Sequence, residues 1–159
     1  MMENTLRWAD LVTEIVPPMG IEPLVVLAII WMESKGNPDE FHHISLATGL
    51  MQVIPQEAGG RFEDRPTIEQ LRNPRTNIEW GARILQDYLN RKGSLYEALY
   101  HYSGGPVWAS PRRFTNVYWV PFQRAKAHLQ RKLKAREEQN GRLRVQHRNF
   151  PRRLEQPGR

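Results

Sequence analysis

The spacing of apolar residues predicts helices along most of the chain. Between residues 5 and 16 an apolar side chain returns every third or fourth position, as on one face of an amphipathic helix, and Thr5 can cap its start. Residues 24–32 are instead nine consecutive apolar residues. Because they are apolar on all sides, they predict a buried helix that begins near Glu22 and ends at about Ser34.

Three further helices follow from the same spacing. The clearest covers residues 73–89 and ends at Gly93. A shorter helix begins after Ser94, which caps it in the stretch SLYE, and the sequence SGGP breaks it. A last helix begins between residues 115 and 121, and its pattern fades past Asn140.

The remaining stretch, residues 36–66, predicts a long irregular segment with one or two short helices. Segments of this length inside a compact domain are usually functional or partly structured. No alternation of period two is long enough for a convincing strand, and the chain contains no internal repeat. The prediction is therefore an all-α protein, with one folded domain over residues 1–139 and a basic, mobile tail over residues 140–159.

Composition narrows the class of protein. The 159 residues fit one domain, and the absence of cysteine excludes disulfides and thiolate metal sites. The nine-residue apolar run is less than half of the ~20 residues that a membrane-spanning helix needs. The N-terminal sequence MMENTLRWADLV lacks a basic start followed by an apolar segment, so we expect no signal peptide.

Positive charge is concentrated at the C-terminal end. Residues 124–159 contain 12 Lys and Arg but only 3 Asp and Glu, whereas residues 1–123 contain 11 and 14. Such an end suits a polyanion such as an anionic cell-wall polymer, a membrane surface or nucleic acid. No nucleic-acid recognition motif accompanies it, so specific nucleic-acid binding is not expected.

Glu33 is the candidate for chemistry because it closes the apolar run, in the stretch WMESKGNPDE. The helix dipole at a C-terminal end disfavours its negative charge, and Val26, Ile29 and Ile30 share its side of the helix. Both effects raise the pKa of a carboxyl group. A carboxylic acid that stays protonated near neutral pH is what a general acid needs. The alternative is a solvated glutamate at a frayed helix end.

Four short motifs accompany Glu33 in order. They are ES at residues 33–34, GLMQ at 49–52, NI at 77–78 with Gly81 three residues on, and ALYHYSGG at 98–105. Together they resemble the lytic transglycosylases of the soluble lytic transglycosylase (SLT) type and, more distantly, the goose-type lysozymes. The resemblance covers roughly residues 20–122.

The resemblance implies a lysozyme-like all-α fold that cleaves the β-1,4 bond between MurNAc and GlcNAc in peptidoglycan. It identifies Glu33 with the single catalytic acid/base. The residues expected to bind substrate, on the family motifs or as neighbours of the cleft, are Ser34, Gly49, Leu50, Met51, Gln52, Tyr102, Ser103, Trp108 and Tyr118. Gly49 allows a positive φ, Gln52 offers a donor and an acceptor to sugars, and Trp108 is the candidate for stacking on a sugar ring.

This sequence departs from the family pattern at two positions. Ser103 stands where an asparagine is usual, and His43, with Ser45 nearby, stands where a serine is usual. These departures leave open which residue contacts the acetamido group. His42 and His43 are adjacent and lack obvious partners, so no metal and no other cofactor is expected.

The number of carboxylates at the site decides between two possible reactions. In lytic transglycosylases the muramic acid C6 hydroxyl attacks the anomeric carbon and gives a 1,6-anhydro product, so no water is needed. A hydrolytic goose-type muramidase needs a second acid to hold water, and Asp39 and Glu40 are the candidates. The resemblance favours the first reaction. Asp39 and Glu40 are otherwise solvated loop charges.

A non-catalytic cell-wall-binding or virion structural module is the alternative from another class, and Glu33 argues against it. We expect a monomer that acts on glycan strands in the cell wall or periplasm and binds an anionic surface through its basic C-terminal segment. Without a signal peptide, a phage endolysin, a virion-associated lysin or an enzyme exported by another route would fit.

Overall fold

The computed structural model describes residues 2–59 and 62–148, with side chains up to residue 144. Its helices are α1 (Glu3–Leu6), α2 (Ala9–Ile15), α3 (Pro23–Ser34), α4 (Ile68–Leu71), α5 (Pro74–Lys92), α6 (Leu95–Tyr102), α7 (Gly105–Trp108), α8 (Pro111–Phe114) and α9 (Val120–Arg148). Two 3-10 turns, Pro17–Met19 and Gln56–Ala58, and a π-helical segment, Thr115–Trp119, complete the regular structure.

The all-α prediction is confirmed. Within the described ranges, extended pairing is limited to two isolated bridges, Phe41 with Thr48 and Thr48 with Val53. They tighten the irregular segment after α3, where the only short helix among the described residues is the Gln56–Ala58 turn. No helix in the described part of the chain is both long and apolar enough to cross a membrane.

Helix α3 is the centre of the core, as its unbroken apolar run predicts. Glu22 precedes it in extended conformation and Pro23 occupies its first turn. Every residue from Leu24 to Ile30 is buried. The helix packs along α9 on one side and against α1 and α2 on the other, which explains why it has no polar face.

The single N-terminal helix predicted over residues 5–16 is wrong. The segment forms two helices, α1 and α2, which are separated at Arg7 and Trp8. Both of these side chains donate to the carbonyl oxygen of Gly36, at 3.2 Å and 3.0 Å. This contact with the end of α3 turns the chain between the two helices. Thr5 lies inside α1, fully buried, and caps nothing.

Helices α5 and α6 follow their predicted signals closely. The side chain of Asn73 caps α5 by accepting from the backbone N–H of Thr76, and Gly93 ends it with a φ of 78°. Ser94 caps α6 by accepting from the backbone N–H of Glu97. The predicted apolar face of α5 packs on the core: Ile78, Gly81, Ala82 and Leu85 are buried, and Tyr88 and Leu89 are half-buried.

Helix α9 differs from its prediction at the C-terminal end. It was expected to fade past Asn140, but it continues without interruption to Arg148. Arg, Gln and Glu are good helix formers, and one glycine at 141 costs only about 1 kcal/mol. Residues 140–148 are therefore helical, and the expected end of the helix near Asn140 is wrong. Residues 149–159 lie outside the described residues, and the division at 139/140 stays a prediction.

Candidate active site

Glu33 lies in the last turn of α3, one residue before the helix ends. Lys35, with a φ of 55°, terminates the helix in the left-handed conformation. Glu33 is half-buried, and the apolar residues of the helix surround its base. Burial raises the pKa of its carboxyl group from 4.5 to about 7, although the Tyr118 hydroxyl and the Lys35 charge both oppose the rise. Glu33 is therefore poised to hold and release a proton near neutral pH.

Tyr118 is the direct partner of Glu33. Its hydroxyl donates to Oε1 of Glu33 at 2.6 Å. Tyr118 lies in the π-helical segment before α9 and stacks on Phe114, with ring centroids 5.3 Å apart. Burial and the neighbouring Glu33 raise the pKa of its phenol well above 10, so it remains a donor. A π-helical turn re-aims side chains, and such turns are common at functional sites.

Tyr102 approaches the same carboxylate from α6. Its hydroxyl donates to the carbonyl oxygen of Met51 at 2.8 Å rather than to Glu33. Burial and then the charge of Glu33 raise the pKa of its phenol well above 10. Because Ser34 is bonded to the carbonyl oxygen of Leu50, the residue before Met51, Tyr102 lies near the end of α3. Helices α3 and α6 and the π-helical segment thus bring Glu33, Tyr102 and Tyr118 to one place.

Ser34 joins the GLMQ segment to the end of α3. Its buried hydroxyl donates to the carbonyl oxygen of Leu50 at 2.8 Å, and that of Ile30 lies 3.1 Å away. The backbone N–H of Gly36 donates to the same hydroxyl at 3.2 Å. In this structure Ser34 contacts backbone on both sides of Glu33, so it positions the catalytic helix against the segment beside it.

Asn77 holds the GLMQ segment from the opposite side. Its buried Oδ1 accepts from the backbone N–H of Met51 at 2.8 Å, and its Nδ2 donates to the carbonyl oxygens of Thr48 and Leu71, each at 2.8 Å. Gly49 has a φ of 78°, and a Cβ there would lie 2.2 Å from Nδ2 of Asn77. The prediction of a positive φ at Gly49 is confirmed, and the close approach gives a second reason for glycine.

The four GLMQ residues differ in how they face the site. Gly49, Leu50 and Met51 are buried, and a Cβ at Gly81 would lie 2.4 Å from the sulfur of Met51. Gln52 is half-buried with a φ of 49°. Its Nε2 donates to the carbonyl oxygens of Glu40 and Gly49, at 3.2 Å and 3.1 Å. Only Gln52 of the four has a partly exposed side chain.

Ser103 and Trp108 form one unit after α6. The hydroxyl of Ser103 donates to the carbonyl oxygen of Tyr100 at 3.2 Å, and the indole N–H of Trp108 donates to the carbonyl oxygen of Ser103 at 2.9 Å. Trp108 is half-buried, and the guanidinium of Arg113 lies 5.8 Å from its ring centroid. One part of the indole is therefore fixed and another part is accessible.

The acidic pair after α3 lies in solvent. Asp39 is exposed, with its nearest cation, Arg72, at 3.9 Å. Glu40 is exposed and accepts from the side chain of Asn37 at 3.2 Å. Within the described residues, the groups that shift the pKa of Glu33 are Tyr118 and Lys35, and neither is a carboxylate.

His42 and His43 are exposed and point to local partners. The hydroxyl of Ser45 lies 2.8 Å from Nδ1 of His42, and the ring of His43 stands edge-on to Phe41 with centroids 5.1 Å apart. In the described portion of the chain, His, Asp and Glu side chains do not gather in any group of three that could hold a metal ion.

Two residues of this site had no predicted role there. Lys35 was not considered, although its position directly after the ES pair could have drawn attention to it. Its ammonium donates to the carbonyl oxygen of Trp31 at 2.8 Å and lies 4.6 Å from the Trp31 ring centroid. Asn77 was identified only as part of the NI motif at residues 77–78. A signal was present, since an amide on an apolar helix face must find partners.

Comparisons with known proteins identify the family of the chain. The chain is 32% identical over 98 residues to the membrane-bound lytic murein transglycosylase E of Buchnera aphidicola, covering 57% of this chain and 43% of that protein. It is 30% identical over 104 residues to a transglycosylase of Enterobacteria phage PRD1, covering 65% of this chain and 37% of that protein. It is 32% identical over 90 residues to the endo-type membrane-bound lytic murein transglycosylase A of Klebsiella pneumoniae. That match covers 53% of this chain and 44% of that protein.

The chain thus spans less than half the length of these relatives. Residues 14–116 match the family model of the transglycosylase SLT domain, and they include Glu33, the GLMQ segment, Asn77 and Tyr102. Because this match covers well over half of the chain and the described residues form the helical domain expected of a lysozyme-like fold, the protein belongs to the transglycosylase SLT domain family.

Proposed function

We propose that this protein is a peptidoglycan lytic transglycosylase that cleaves the β-1,4 bond between MurNAc and GlcNAc. The observation that carries the proposal is the carboxyl group of Glu33, which is enclosed at the end of an apolar helix, bonded to Tyr118 at 2.6 Å, and has a pKa of about 7. A carboxyl group with such a pKa serves both as an acid and as a base at neutral pH. The family match and the relatives named as lytic murein transglycosylases support the same reaction class.

In the first step Glu33 acts as the acid. Its Oε1 accepts from Tyr118, so the proton is carried on Oε2 and is available to the glycosidic oxygen. Transfer of this proton breaks the bond between that oxygen and C1 of MurNAc, and GlcNAc leaves with a free 4-hydroxyl. Positive charge develops at C1, where the acetamido oxygen of the same sugar can stabilise it.

In the second step Glu33 acts as the base. Its carboxylate, stabilised by Tyr118 and by the charge of Lys35, takes the proton of the C6 hydroxyl. The O6 atom then bonds to C1 and closes the 1,6-anhydro ring. The proton that Glu33 gave away is restored, and no water is consumed. One carboxylate is sufficient for both steps.

The surrounding residues position the sugars. We assign the phenol of Tyr102, the partly exposed amide of Gln52 and the ring face of Trp108 after the end of α6 to sugar contacts. We assign Ser34, Gly49, Leu50 and Met51 to the support of this surface rather than to direct sugar contact, because they are buried. Ser103 contributes through its carbonyl oxygen, which holds Trp108.

A hydrolytic muramidase is the second candidate reaction. It requires Asp39 or Glu40 to hold a water molecule against the sugar. Both side chains are exposed and engaged with Arg72 and Asn37, an arrangement that favours the single-carboxylate mechanism. A non-catalytic wall-binding module is disfavoured by the perturbed pKa of Glu33, since such shifts are typical of catalytic groups.

Mass spectrometry of digested peptidoglycan tests the proposal. The expected product carries a 1,6-anhydro ring and is lighter by one water than the product of hydrolysis. A hydrated product would establish the muramidase instead. Absence of any cleaved glycan from folded protein that still sediments with cell walls would establish the binding module.

The place of action and the surface partner are part of the proposal. We propose that the protein works as a monomer on the cell wall, and that the outer half of α9 together with the residues beyond it binds an anionic surface. Arg131, Lys134, Arg142 and Arg144 are exposed there. Other cations of α9 form ion pairs within the domain: Lys126 pairs with Glu22, and Arg136 pairs with Glu3.

A further inference from the structure

Arg65 is a half-buried cation without a carboxylate partner. One terminal nitrogen donates to the carbonyl oxygen of Ile54 at 2.8 Å, and the guanidinium lies 5.8 Å from the ring centroid of Phe62. Its Nε is buried and has no hydrogen-bond partner among the residues that the structure describes. Across the described ranges, no Asp or Glu lies within ion-pair distance of it. Half-buried charges are normally paired, so this guanidinium is suited to an anion that arrives from outside.

Other arginines of the domain are satisfied within it. Arg75 pairs with Glu14 at 2.9 Å, Arg83 with Asp64 at 2.9 Å and Arg91 with Asp87 at 2.7 Å. Arg65 is half-buried, and within the described ranges its one hydrogen-bond partner is the carbonyl oxygen of Ile54.

The chain is held on both sides of Arg65, by helix α5 on one side and by the Gln56–Ala58 turn on the other. Asp64 pairs with Arg83 of that helix, and the Arg83 guanidinium lies 4.7 Å from the Phe62 ring centroid and 4.3 Å from that of Trp80. On the other side, Pro66 accepts from the backbone N–H of Gln56. The direction of Arg65 is therefore set by the fold.

That direction brings Arg65 to the active site. Tyr102 donates to the carbonyl oxygen of Met51, and Arg65 donates to that of Ile54, three residues further on. Both side chains thus donate to the same short stretch of backbone, from Met51 to Ile54, which continues the GLMQ segment. The charge of Arg65 also acts on Tyr102, where it opposes the rise in the pKa of the phenol.

We propose that Arg65 binds a carboxylate of the glycan strand and makes the site prefer anionic over neutral substrate. The inference rests on the proposed function, which supplies a substrate rich in carboxylates. Peptidoglycan offers two kinds: the lactyl carboxylate of MurNAc in peptide-free strands, and the peptide carboxylates where stem peptides are attached. A planar guanidinium takes either through two parallel N–H bonds, which an ammonium does not reproduce.

The experiment compares kcat/KM on two pairs of strands. One pair is peptide-free glycan with its lactyl carboxylates free or converted to methylamides, and the other is peptide-bearing glycan treated in the same way. The wild type is expected to prefer the free carboxylate of at least one pair by about 10-fold or more. The pair that shows the preference identifies the carboxylate. Equal rates within both pairs would overturn the proposal.

The variants Arg65→Met, Arg65→Lys and Arg112→Met separate recognition from structural support. Arg65→Met is expected to bring the preference ratio to about one, and Arg65→Lys to keep part of it. Arg112→Met removes an exposed charge and is expected to keep the wild-type ratio. If Arg65→Met instead slows all four strands by the same factor, Arg65 only ties Ile54 in place and the proposal is wrong.

Binding to an inactive background separates this inference from the proposed function. Calorimetric titration of the same four strands into Glu33→Gln, with and without Arg65→Met, measures the preference without turnover. Loss of the preference on adding Arg65→Met supports the carboxylate site even if the wild type releases no product. A preference that survives Arg65→Met in protein with an unchanged melting temperature contradicts it.

Discussion

Helices α3 and α9 lie side by side, and they place their charges in opposite ways. Helix α3 has one acidic residue in twelve, and that residue is enclosed with a pKa of about 7. The outer half of α9 carries several cations, and up to residue 144 those not paired with Glu3 are exposed. Enclosure, rather than the number of charges, turns a side chain into a reacting group.

The two helices also differ in what surrounds them. Helix α3 is covered on every side, so its end is fixed by contacts from Ser34, Gly36 and the π-helical segment. Helix α9 packs on the core through Phe122, Ala125 and Leu129, but only its first half does so. Changes at the end of α3 should therefore abolish chemistry, while changes beyond the middle of α9 should alter only association.

The largest effect is expected from Glu33→Gln. The amide keeps the shape of the side chain but cannot donate and recover a proton, so we expect cleavage of cell-wall glycan to fall by about 10³-fold or more. Product release measured by mass spectrometry, with circular dichroism to verify the fold, checks this. Glu97→Gln, at an exposed position of α6, is the matched control. Substantial residual activity would mean that Glu33 is not the acid.

Asn77→Ala should have the next largest effect, on stability. It removes three hydrogen bonds of a fully buried amide and leaves the backbone N–H of Met51 and two carbonyl oxygens unpaired. We expect the free energy of unfolding to fall by about 3 kcal/mol or more. Urea denaturation measures this, with the exposed Asn90→Ala as control. A change below that of the control would show that Asn77 does not hold the segment.

Asn77 also shows which features of the molecule the sequence alone can predict and which it cannot. The positions of α3 and α5 follow from local apolar spacing and capping residues, and both were predicted within a few residues. Glu33 could be proposed because its apolar neighbours precede it directly and the motifs that follow it in the chain resemble those of a known family. The hydrogen bonds of Asn77 could not be predicted, because their partners depend on how segments that are distant in sequence pack together.

The same limit explains the misplaced elements. The break between α1 and α2 depends on Gly36, which is 28 residues away from Trp8. The π-helical turn that aims Tyr118 at Glu33 depends on packing between α8, α9 and α3. Local patterns predict which segments are helical, and long-range contacts decide where the helices break and what their polar side chains bind.

The same Glu33→Gln variant should be more stable than the wild type at high pH. Folding raises the pKa of Glu33, so its contribution to stability is fully present below 4.5 and is lost as the pH rises through about 7. The amide side chain of the Glu33→Gln variant does not titrate, so its contribution to stability does not change over this pH range. We expect the stability of the variant relative to wild type to increase by about 3 kcal/mol between pH 4 and pH 9. Urea denaturation at both pH values measures it, and a constant difference would argue against an enclosed carboxyl.

Tyr118→Phe should have a smaller effect on rate and a distinct effect on pH dependence. The hydroxyl lowers the pKa of Glu33, so its removal should raise that pKa and move the alkaline limb of kcat/KM to higher pH. We expect about a 10-fold loss of rate at neutral pH, because Glu33 becomes a weaker acid and its carboxylate loses the hydrogen bond that stabilises it after proton transfer. Profiles measured from pH 5 to pH 9 test this. An unshifted limb would show that Tyr118 does not govern the protonation of Glu33.

Deletion of residues 140–159 should have the smallest effect on chemistry. The segment lies beyond the part of α9 that packs on the core, so turnover of soluble glycan fragments should stay within about twofold of wild type while binding to intact walls weakens and becomes less dependent on salt. Sedimentation with cell walls at two salt concentrations measures the binding, and fragment kinetics measure the turnover. Equal losses in both assays would mean that the end of α9 supports the site, and the contrast between α3 and α9 would then not hold. If both stay at the wild-type level, the cations that bind the wall lie elsewhere on the domain.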